Sequence, residues 1–68
     1  MEFYDLFGLS RQELDNLLKS RLLALDLLRI YEAEMVKVKG RQAYQELLDD
    51  VLDDINLIHS FIKNFLEP

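Results

Sequence analysis

The sequence predicts an all-α fold, an antiparallel helical hairpin with a short N-terminal helical turn, self-associating into a four-helix bundle. Three observations lead there. Tyr44, Leu48, Val51, Ile55, Ile58, Ile62 and Phe65 follow one another at alternating steps of four and three, the seam of a packed helix. Leu14, Leu17, Arg21, Ala24, Leu28, Tyr31, Met35 and Val38 form a second such seam, with Arg21 as its one charged member. Gly40 separates the two. Were the first seam to run on unbroken, its next positions would be Gln42, Gln45, Asp49 and Asn56, so the stripes belong to separate helices. A short connection between helices makes antiparallel neighbours.

The single domain divides into a lid turn over residues 1–8, a first helix over 10–39 and a second over 41–66. Phe3, Leu6 and Phe7 share one side of the opening turn, which Gly8 closes in the left-handed conformation. Ser10 and Glu13 make a capping box, and Leu9 and Leu14 the matching staple, so the first helix starts at Ser10. No breaker follows until the glycine. Lys37 and Lys39 suit the negative end of that helix. In the second helix Ala43, Leu47, Leu52, Phe61 and Leu66 widen the apolar arc to about half the circumference. Folding about Gly40 sets Leu25 level with Ile55, Leu18 level with Ile62 and Arg21 level with His59. It also gathers Phe3, Phe7, Phe61 and Phe65 at the open end.

Composition narrows the function classes. The chain has 68 residues, half of them hydrophobic and 31% charged, with one proline and no cysteine, the profile of a small helical bundle without disulfides or thiolate metal sites. No apolar run approaches the roughly 18 residues of a membrane helix, and the first residues are acidic where a signal peptide is basic, so a soluble, cytoplasmic protein is expected. A net charge of -5 favours a basic protein partner over nucleic acid.

Four features bear on function. Glu46, Asp49, Asp50, Asp53 and Asp54 form an acidic face whose like charges four apart call for a counter-charge, either from the chain's own cations or from a basic partner. Lys37, Lys39 and Arg41 cluster at the bend, where they serve helix-end complementarity or contact phosphates. Arg21 and His59, polar groups at the edge of a seam, are read as fixing register. The run Ser10-Arg11-Gln12-Glu13-Leu14-Asp15 resembles the Ser-Gln-Glu-Leu-Asp signature of small helical-hairpin phosphatases acting on response regulators of spore-forming bacteria. Arg11 interrupts the motif, which stands here on the first helix where that family carries it on the second, and the cap and staple already account for Ser10, Glu13 and Leu14.

With no catalytic constellation, metal-ligand motif or cofactor loop, the expected function is that of a non-catalytic interaction or regulatory protein that homodimerises and binds a protein partner. Leu23, Leu27 and Ile30 lie on the flank of the first helix away from its seam and are the expected self-association residues, worth roughly 5 to 9 kcal/mol per chain if fully buried. An acidic inhibitor or decoy of a basic nucleic-acid-handling protein is the first alternative. Nucleic-acid binding through the bend is the second.

Overall fold

The strongest local signal in the sequence is realised in full. Ser10 adopts extended backbone, its Oγ accepts the Glu13 N–H at 3.1 Å, and the Glu13 carboxylate accepts the Ser10 N–H at 3.0 Å. From this cap α1 runs over Arg11–Ile30 in the computed structural model, which describes residues 1–67. Two further helices follow, α2 over Glu32–Lys39 and α3 over Arg41–Phe61. The chain is all-helical, three helices packed together in a rod of 42 × 17 × 17 Å. Among the described residues no helix is long and apolar enough to cross a membrane.

The helix expected over 10–39 is thus divided. Tyr31 leaves the helical region (φ −103°, ψ 22°), and its N–H still bonds the Leu27 carbonyl while its own carbonyl accepts from Met35. The cause is tertiary. Tyr44 of α3 is buried, and its hydroxyl donates to the Leu28 carbonyl at 2.9 Å, at the turn where α1 gives way to α2. The break turns the end of the first seam outward, so that Tyr31 (52% exposed) and Val38 (82%) leave the core.

Gly40 joins α2 to α3 with φ +92° and ψ 156°, a conformation nearly closed to residues with a Cβ. Beyond Phe61 the helix expected to reach residue 66 widens into a π turn over Ile62–Leu66, closed by the Glu67 N–H on the Ile62 carbonyl. Ile62 stays buried, but Phe65 rotates out to 53% exposure and leaves its expected seam position. Gly8 does not take the left-handed conformation expected of it, Gly40 being the one described residue with positive φ. The opening turn is a 3₁₀ turn, Phe3–Leu6, whose exit at Phe7 stays right-handed.

The core falls into two clusters. Near the bend, Leu28, Tyr44, Val51 and Ile55 pack with Ala24, Leu25 and Leu48. At the other end, Leu6, Leu14, Ile58, Phe61 and Ile62 pack with Leu9, Leu17 and Leu18. Leu6 is 1% exposed, which makes the opening turn part of the core. Over it the four phenylalanines gather as the sequence predicts, with ring centroids 5.0 to 5.9 Å apart and mostly edge-on or tilted, the favoured aromatic geometry. Arg11 closes this end, reaching Glu67 at 3.0 Å and Asp15 at 3.2 Å.

Candidate functional site

The packing of α1 against α3 leaves one side open. Because α1 bends away at Tyr31, the residues on either side of that break no longer cover α3 continuously, and a groove of about 350 Å³ opens between them. Ala24, Leu27, Leu28, Tyr31 and Met35 line it from α1 and α2, and Leu47 and Val51 from α3. Every lining residue is apolar or aromatic. Leu27 is 45% exposed, and the strip continues outward along α1 through Leu23 (59%) and Ile30 (69%). The expected self-association residues are therefore brought together with a groove that the sequence did not reveal. Its missed member is Tyr31, which seam spacing assigned to the core; Met35, assigned likewise, packs against the core cluster and also lines the groove. The exposed side of Leu47 was the available signal, since it belongs to the arc wider than one neighbour covers.

The five acidic residues separate into two groups. Asp54 turns inward and accepts Arg21 Nε at 3.0 Å, with the Met1 ammonium at 3.9 Å. Arg21 therefore does not meet His59, which is exposed. The division of the first helix shortens its reach along α3, so Arg21 lies opposite a residue more than one turn earlier. Glu46, Asp49, Asp50 and Asp53 are exposed, and none is in ion-pair contact with a cation of the described chain. Two of them accept hydrogen bonds from glutamines of the same helix, Glu46 from Gln42 and Asp49 from Gln45. The bend cations are not focused on a point: Lys37 and Lys39 are exposed, and Arg41 lies 3.9 Å from Glu32.

A second depression, of about 510 Å³, is lined by His59, Ser60, Ile62, Lys63 and Glu67. Apart from Ile62 these side chains are exposed, so nothing desolvates a reacting group there. His59 and Ser60 are consecutive on a helix and face about 100° apart, which prevents a nucleophile-base pair. Among the described residues no three His, Asp or Glu side chains converge as metal ligands do. The shifted titrating groups are likewise structural. Backbone and hydroxyl hydrogen bonds from Ser10 hold the Glu13 carboxyl below its ordinary value, and burial, followed by the Glu32 carboxylate, pushes the Tyr44 phenol up.

No protein-family model, no curated protein and no solved structure matches the chain.

Proposed function

We propose that this is a non-catalytic interaction protein. Its helices form a hairpin of α1 and α2 against α3, and two such hairpins associate through Leu23, Leu27, Ile30 and the adjoining groove into a four-helix bundle. The same apolar side is where a protein partner engages. The observation that carries the reading is the strip itself. It is continuous, it lies on one side, and it adjoins an apolar groove rather than being scattered over the surface. The wider balance supports it, because thirteen large hydrophobic residues are exposed and only nine residues form the buried core. For a chain of this size such a core supplies little net stability, and association is a common remedy.

Sedimentation equilibrium at micromolar concentration tests the self-association. A dimer is expected for the native chain and a monomer for L23E/L27E. A native chain that is monomeric and fully folded overturns the four-helix bundle. A second reading, an acidic inhibitor of a basic protein, is favoured by Glu46, Asp49, Asp50 and Asp53, the carboxylates of α3 without cationic contacts.

A further inference from the structure

We infer that the groove between α1 and α3 takes a basic amphipathic helix of another protein, and that this helix displaces the second copy of the chain. The inference rests on the proposed role of the apolar side as a docking surface and names its ligand. It comes from the unlike rims of the groove. On the α1 side the rim is apolar, formed by Leu23, Leu27 and Ile30. On the α3 side the lining residues Leu47 and Val51 give way, further round the helix, to carboxylates. Asp50 lies three residues after Leu47, about 60° further round the helix, and Glu46 and Asp53 continue the same shoulder at spacings of four and three.

The unbroken α1 wall of the groove, from Ala24 to Leu28, and the α3 wall, from Leu47 to Val51, each span one turn, about 6 Å, and Tyr31 and Met35 prolong the floor beyond the break. A helix in that position sets residues spaced i, i+3 or i+4, and i+7 against the apolar floor and the α1 rim. Its opposite edge faces the carboxylates of α3, where lysine or arginine gives attraction. Glu46 and Asp50 repel each other at i,i+4, and a cationic guest relieves that repulsion. Asp54 makes the contrast, since Arg21 and the chain's own ammonium already answer it.

A second copy meets only half of these requirements. Its Leu23, Leu27 and Ile30 fill the apolar half. Its net charge is -5, and the charges beside that strip, Lys19 and Asp26, offset each other. The acidic shoulder is left unanswered, so a guest with the same apolar stripe and a row of lysines binds more tightly than the copy it replaces.

The test uses the full chain and three synthetic helices with the same leucine stripe, flanked by lysine, glutamine or glutamate, followed by calorimetry and sedimentation. Exchange of the dimer for a one-to-one complex is expected with the lysine helix, with affinity falling at least roughly tenfold between about 50 mM and about 500 mM salt. E46Q/D50Q/D53Q should weaken this complex roughly tenfold and leave the dimer intact. Equal binding of the glutamine helix, or of the triple variant, overturns the inference. So does undiminished binding by L23E/L27E, because the ligand would then sit elsewhere. A dimer that binds none of the three helices removes the basic ligand and keeps the proposed self-association. A monomer that binds the lysine helix with the stated salt dependence does the reverse.

Discussion

Tyr44 Oη lies 2.9 Å from the Leu28 carbonyl oxygen, and the bond ties the last turn of α1 to the first turn of α3 at the place where α1 gives way to α2. The Leu28 carbonyl stands four residues before Glu32, the first residue of α2, where an unbroken helix would supply a backbone N–H. The phenol takes that place, and Glu32 Oε1 lies 3.4 Å from the same hydroxyl. Tyr44→Phe keeps the ring and removes the donor. A lowering of the thermal midpoint by about 4 °C or more is expected, because a buried carbonyl loses its partner. An unchanged midpoint would show that α1 and α2 had rejoined into one helix, which circular dichroism would register as added helix.

The same phenol makes stability fall in alkali. Burial, then the Glu32 carboxylate, raises its pKa above the ordinary 10.0, so the folded state favours the neutral form. That contribution is complete below pH 10.0 and is lost as pH rises through the folded-state value. The native chain should therefore lose thermal stability above that pH more steeply than Tyr44→Phe. Parallel curves for the two proteins would remove the phenol as the cause.

At Gly40 the expected penalty is purely one of backbone. A Cβ built there meets nothing within 4 Å, yet φ is +92°. Gly40→Ala and Gly40→Val should each cost on the order of 1 to 3 kcal/mol in urea unfolding. D-alanine introduced by chemical synthesis, which favours positive φ, should be no worse than glycine. Equal stability of the L- and D-alanine forms would mean that the bend relaxes to another conformation.

The opening turn should behave as core and not as a tail. Leu6 is 1% exposed beside Leu14 and Ile58, so Leu6→Ala should cost about 3 kcal/mol, as a buried leucine does elsewhere. In so small a domain that is most of the stability. A loss below about 1 kcal/mol would show that the turn detaches at little cost and that Phe61 is as well off exposed.

What the sequence disclosed follows from the range of the forces involved. The Ser10–Glu13 cap is a matter of four consecutive residues, and the glycine at the bend is a backbone constraint, so both are legible locally. The aromatic gathering followed from reversing the chain at Gly40. The break at Tyr31 was not legible, because Leu22 to Tyr31 contains no glycine or proline and the cause is a hydroxyl sixteen positions beyond Leu28. With the break go the other departures: Arg21 pairs with Asp54 and not His59, Tyr31 is exposed, and the groove lies beside it. The register error is small enough that Leu25 still packs in the cluster that holds Ile55. The candidate site was therefore readable in its exposed rim and hidden in its floor.

The last prediction is that folding depends on concentration. Leu23, Leu27 and Ile30 remain 59%, 45% and 69% exposed, so covering them leaves about 3 to 5 kcal/mol per chain to be gained, less than full burial would give because α1 and its neighbours already shield part of each. Ordering two chains in one complex opposes this gain, and the groove residues Tyr31 and Leu47 add to it. The balance is comparable with the stability a core of nine residues supplies alone, so dimer formation and folding should be coupled. Over a roughly hundredfold rise in protein concentration the thermal midpoint of the native chain should increase, whereas that of L23E/L27E should stay constant at a lower value. The double variant replaces only exposed side chains, so a loss of concentration dependence with its circular dichroism retained would place the association on this strip. A native midpoint that does not move with concentration would show that the chain folds with the strip exposed, and would overturn self-association as part of its folding.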